Sequence, residues 1–290
     1  MKYFLLRKLK LFISISVLCI TSFSISAIAD DFDAAIDMYK NNQQTEAIKL
    51  LHKLTDNHDP RAEYVLGILY QNGISIRTDP ELGVRLITEA AGHGLARAQN
   101  YLGTLYYEGV AVKKDDKAAF HWYEKAAKQQ DPDAEYNLSV LYAYGDGVKQ
   151  DYPTAVTWLR KAAMQKVPDA EYALGLVYEL GLGVEPNPKQ AVYWYGKAGK
   201  HGYGRAENKI GALYTKGNVI NKDTSKAFLW FARAAGKGYD KAQYNLGVMY
   251  EKGIGVEANR KTAIEWFMKS ASQGNPDAKK KLKTLGVKAG

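Results

Sequence analysis

The sequence predicts an all-α fold, a solenoid of stacked helical hairpins with a period of 36 residues. Three observations carry this expectation. Alanine recurs at Ala62, Ala98, Ala134, Ala170, Ala206, Ala242 and Ala278. All five tryptophans share one column of the same register, Trp122, Trp158, Trp194, Trp230 and Trp266, with Leu86 at its upstream end. A glycine column, Gly73, Gly109, Gly145, Gly181, Gly217 and Gly253, punctuates every unit. A unit this short cannot bury its own apolar face, so one long core shared between neighbours replaces the two round domains that 290 residues would otherwise suggest.

Residues 1–29 stand apart. Lys2, Arg7, Lys8 and Lys10 precede an apolar run from Leu11 to Ile20, and Ala27-Ile28-Ala29 offers small residues before Asp30. This is the anatomy of a secretory signal peptide, which places the mature chain in the periplasm or outside the cell with no membrane span. An uncleaved anchor over Leu11 to Ala29 is the competing reading, weakened by Ser14, Ser16, Thr21, Ser22, Ser24 and Ser26. The single cysteine, Cys19, lies inside this segment, so the rest of the chain stands on packing without disulfides.

Residues 30–58 read as an atypical leading hairpin: Phe32, Ala35 and Tyr39 on one helix, a turn at Asn41-Asn42, then Ala47, Ile48, Leu51 and Leu54 on the next. Residues 59–277 hold six regular units. In the unit from Ala134 the first helix, helix A, spaces Ala134, Leu138, Leu141 and Tyr142 along one face over about ten residues. Asp131-Pro132 marks its start, as an N-cap acceptor followed by a proline where the missing N–H is harmless, and Asp59-Pro60 and Asn275-Pro276 repeat the signal. The glycine column ends helix A in the left-handed conformation. Helix B opens at Asp79, Asp115, Asp151, Asn187, Asp223 and Asn259, all good N-caps. Its tryptophan column is read as core, where truncating one ring to alanine would cost about 3–5 kcal/mol. Residues 278–290 supply a capping helix and a basic tail with Lys279, Lys280, Lys281, Lys283 and Lys288.

Composition excludes some function classes. Four of the +9 formal charges belong to residues 1–29, so the remainder is only mildly basic and carries no nucleic-acid signature. His52, His58, His93, His121 and His201 show no His-x-x-x-His pair and no cysteine partner, so spacing gives no metal site. Gly145-Asp146-Gly147 follows a helix, not a strand, and is a turn, not a phosphate loop. Asp115-Asp116 sits at a helix start, where the dipole favours anions. No nucleophile, base and orienting group assemble, so no enzyme activity and no cofactor are expected.

The runs A-E-Y-N-L-S-V-L-Y-A-Y-G from Ala134 and A-Q-Y-N-L-G-V-M-Y-E-K-G from Ala242, continued by the helix-B pattern ending in Trp, resemble Sel1-like repeats, relatives of the tetratricopeptide repeat. The resemblance covers Asp59 to Asp277. It implies a right-handed superhelix and a role as an adaptor or scaffold, and exported bacterial relatives are similar to proteins of envelope assembly, cell-wall regulation and host interaction. The expected partner is therefore a protein or an extended peptide. A cysteine-rich branch of the family is associated with penicillin binding and weak β-lactamase activity; its paired cysteines have no counterpart here. A peptidoglycan- or β-lactam-binding protein with weak hydrolase activity is the competing function.

In the tetratricopeptide arrangement helix A lines the concave groove, which puts Tyr64, Asn100, Tyr136, Tyr172, Asn208 and Tyr244 in one groove-facing column. Tyr and Asn there offer hydrogen bonds to a peptide backbone along with ring contact, although such a tyrosine also suits packing between units. Tyr107 and Tyr144 depart from the other members of their columns, Gln71, Ala143, Glu179, Thr215, Glu251 and Asn72, Glu108, Leu180, Lys216, Lys252. Specificity is expected where residues vary while the frame repeats.

Overall fold

The computed structural model describes residues 30–217 and 220–287. The signal-peptide reading of residues 1–29, with Cys19, and Lys288 of the tail lie outside them. Among the described residues there are fifteen helices and no strand. The chain divides into two compact units, Met1–Gln150 and Asp151–Gly290. The first holds α1 (Asp31–Lys40), α2 (Gln44–Asp56), α3 (Pro60–Asn72), α4 (Pro80–Gly92), α5 (Ala96–Glu108), α6 (Asp116–Lys128) and α7 (Pro132–Tyr144). The second holds α8 (Tyr152–Met164), α9 (Pro168–Leu180), α10 (Pro188–Lys200), α11 (Gly204–Lys216), α12 (Thr224–Gly236), α13 (Asp240–Lys252), α14 (Arg260–Ser272) and α15 (Pro276–Thr284).

Caps and turns follow the sequence closely. Every helix B start is held by its Asp or Asn: Asp79 accepts from the Leu82 N–H, Asp151 from Thr154, Asn187 from Gln190, Asp223 from Lys226 and Asn259 from Thr262. The glycines closing helix A are left-handed, with φ of 65° at Gly73 and 79° at Gly145. Helix A is a turn longer than the apolar spacing alone suggests, thirteen residues in α7, where the proline at the first position is already helical. The link is then closed by backbone: the N–H of Asp79 returns to the Tyr70 carbonyl at 2.9 Å, and that of Asn187 to Tyr178 at 2.8 Å.

In most hairpins the two helices meet at a glycine. A Cβ on Gly103 would lie 2.7 Å from the Tyr123 ring, one on Gly175 2.5 Å from Tyr195, one on Gly211 2.8 Å from Phe231 and one on Gly247 2.6 Å from Phe267. The rings fill the space that the missing Cβ leaves, and all four are buried. The register that carries Ser139 in place of glycine carries Leu159 in place of the ring. The alanine column, fully buried at all seven positions, provides the second close approach.

The tryptophan column is not this deep core, which corrects the expectation from sequence. Each indole is half-buried, while the residue after it (Tyr123, Leu159, Tyr195, Phe231, Phe267) is buried. One residue is about 100° of helix, enough to aim the ring after the tryptophan at helix A and to leave the indole at the edge. Trp122 lies against the cluster of Ile87, Leu102 and Leu105, and Trp266 against that of Phe231, Leu246 and Met249. A cation three residues on covers each indole: Lys161 Nζ stands 4.0 Å from the Trp158 ring centre, Lys269 4.2 Å from Trp266 and Lys125 4.6 Å from Trp122, with Arg233 and Lys197 over Trp230 and Trp194.

Candidate partner-binding surface

The expected groove column sits at the packing seams. Tyr136 and Tyr172 are buried, whereas Tyr64, Asn100, Asn208 and Tyr244 are half-buried. Tyr64 meets Tyr101 edge-on at 6.0 Å, Tyr172 packs on Tyr195 and Tyr203 at 5.4 and 5.2 Å, and Tyr244 packs on Phe267 at 5.6 Å. Burial holds the phenols of Tyr64 and Tyr172 above their ordinary range, so both stay neutral. Where the column holds asparagine it bridges hairpins: Asn137 donates to Asn100 Oδ1 at 3.0 Å and Asn245 to Asn208 Oδ1 at 2.9 Å. Burial thus removes Tyr136 and Tyr172 from any open face.

The varying positions are different. Gln71, Tyr107, Ala143, Glu179, Thr215 and Glu251 are all half-exposed, at the C-terminal end of helix A. Each makes contacts of its own. Tyr101 donates to Gln71 at 2.9 Å. Tyr107 donates to Asp146 at 3.0 Å and carries Lys114 over its ring at 4.9 Å. Glu179 accepts from the buried Tyr195 hydroxyl at 2.6 Å and pairs with Lys209 at 3.0 Å, and Glu251 pairs with Lys281 at 2.7 Å. Burial, together with the Glu179 carboxylate, pushes the Tyr195 hydroxyl far up. In the next column Tyr144 is half-exposed, and Asn72, Glu108, Leu180, Lys216 and Lys252 are exposed.

A family model described as the Sel1 repeat matches residues 60–95, 96–131, 132–167, 168–203, 204–239 and 240–275. The chain belongs to the Sel1-repeat family. Among solved structures this Sel1-repeat chain is similar to a protective antigen present in uropathogenic Escherichia coli strains, displaying an SLR fold, at 31% identity and a TM-score of 0.78. That match covers 90% of this chain and 58% of the other. It is also similar to a Sel1 repeat protein from Oxalobacter formigenes, at 30% identity and a TM-score of 0.75, covering 84% of this chain and 97% of that one. No curated protein matches the chain significantly. The fold is thus the helical-repeat solenoid that the 36-residue register predicts, and Sel1 repeats generally mediate contacts between proteins.

The Sel1 frame also contains a polar clamp that the periodicity argument missed. The residue after each of the first six alanines of the column is Glu63, Gln99, Glu135, Glu171, Glu207 or Gln243, and all six are buried. Five hairpins close their open end by pairing this residue with the C-cap thirty positions on. His93 Nδ1 is 2.8 Å from Glu63 and His201 Nδ1 is 2.7 Å from Glu171; Lys237 donates to Glu207 at 3.0 Å. Gln129 donates to Gln99 and Gln273 to Gln243, each at 2.8 Å. In these five hairpins a carboxylate faces His or Lys and an amide faces an amide, so the pairing was readable in the sequence as co-variation at a spacing of 30.

Proposed function

We propose that this chain is an exported, non-catalytic scaffold that holds an envelope or host protein, or an extended peptide from one, against the helix A side of its repeats. One observation supports the reading most strongly. The buried positions repeat from hairpin to hairpin, whereas variation gathers at half-exposed or exposed positions at the end of helix A, the columns of Tyr107 and Tyr144. Such a division keeps the frame constant and leaves the surface free to specify a partner. Tyrosine suits that task, with a large rigid ring and a hydrogen-bonding tip.

Export rests on the basic and apolar pattern of residues 1–29, and intact mass of the protein recovered from cells checks it: a mature chain starting at or near Asp30 is expected. Partner binding is tested by crosslinking capture in the native envelope. Exchanging both Tyr107 and Tyr144 for alanine is expected to abolish recovery of the dominant partner while circular dichroism stays wild-type. Undiminished capture by that double variant would remove this surface from consideration. Tyr136 and Tyr172 are unsuitable for the test, because burial makes their truncation a folding lesion.

A further inference from the structure

Around one hairpin clamp the fold gathers a third ligating group. His58, Glu63 and His93 place one donor atom each within 4.8 Å of one another, the one such cluster among the described residues. Glu63 is 1% exposed, with its two oxygens turned toward two imidazoles: Oε2 lies 2.8 Å from His93 Nδ1 and Oε1 3.9 Å from His58 Nδ1. The rings meet edge-on at 5.7 Å. We propose that these three side chains form a binding site for a divalent first-row transition ion, with Zn2+ the best match.

The donor chemistry selects the ion. Two imidazoles and a carboxylate suit Zn2+, Co2+, Ni2+ or Cu2+, whereas Ca2+ and Mg2+ take oxygen donors. Bonds of about 2.0–2.1 Å to a tetrahedral ion put its donors about 3.3 Å apart, between the two distances observed here. The side chains of His58 and His93 are 80% and 42% exposed, so both rings are free to make that adjustment and a fourth position is open to water. A divalent ion would also compensate a carboxylate taken out of water.

The other clamps of the same chain serve as internal controls. At the register of His58 the later units carry Gly94, Gln130, Lys166, Gly202, Gly238 and Gly274. The hairpin that repeats the Glu–His pair, Glu171 with His201, has Lys166 there, a cation in place of a ligand. His58 is also left-handed, at φ 58°, in a position that four repeats give to glycine. The backbone does not ask for histidine at this position, and the imidazole is the group that distinguishes this hairpin.

The experiment is a calorimetric titration of the full chain with Zn2+, made without a polyhistidine tag and in a Cys19→Ser background so that the lone thiol does not compete. One equivalent is expected to bind with a dissociation constant in the micromolar range or below. His58→Gly supplies the residue the backbone prefers, and His93→Gln keeps an N–H donor for Glu63; each is expected to weaken binding on the order of tenfold or more. His201→Gln is expected to leave it unchanged. The ion should raise the melting temperature of the parent chain and not that of His58→Gly. No binding by the parent below about millimolar Zn2+, equal affinity in His58→Gly, or loss in His201→Gln would each overturn the site.

Discussion

Adjacent residues on helix B do different work, and the difference is measurable at Trp230 and Phe231. Phe231 is 4% exposed and fills the gap above Gly211, so Phe231→Ala is expected to cost about 3–5 kcal/mol, as a large cavity does. Trp230 keeps one face toward Arg233, so Trp230→Ala is expected to cost roughly 2 kcal/mol, the worth of about half an indole. Urea denaturation of the two variants decides the order; equal losses would mean the indole is as deep as the phenyl ring. Sequence alone put the tryptophan column in the core and did not single out the residue after it, since tryptophan is the larger residue and periodicity near 100° blurs neighbours on a wide apolar face. The buried carboxylates were equally hidden. Glu63, Glu171 and Glu207 look like ordinary solvated charges in the first turn of a helix until the partner thirty residues away is seen.

At the scale of an element, the hairpin is a matched pair of surfaces. Placing serine at 211 adds a Cβ where 2.8 Å separates it from the Phe231 ring, and overpacking of that kind is expected to destabilise by about 1–3 kcal/mol although serine is the better helix former. Combining it with Phe231→Leu reproduces the residues found at 139 and 159 and should recover part of the loss, a coupling of about 1 kcal/mol or more in a double-mutant cycle. Additive losses would show that the glycine serves propensity or loop geometry instead. Helix boundaries were the most legible part of this fold. Asp151, Asn187 and Gly181 declare their roles by chemistry that acts within a few residues, which a sequence exposes directly. The proposed partner surface was less legible, because tyrosine suits both packing and recognition, and only burial shows that Tyr172 is a packing residue.

For the whole molecule, a repeat array is stable only while its apolar faces are covered. In the second unit α15 does this with Ala278 and Leu282, both fully buried against Ala263, Phe267 and Ala271, while Lys279, Lys280 and Lys283 face water. Leu282→Asp is expected to lift that helix and expose the α14 face, giving self-association in light scattering; a monodisperse variant would show that α14 needs no cover. The half-buried indoles have an optical consequence. Five half-buried chromophores, each roofed by an ammonium or guanidinium group, should emit toward the red and be open to acrylamide. Intrinsic fluorescence will therefore follow the half-exposed side of each helix B, changing with its local surroundings sooner than with the melting of the interior.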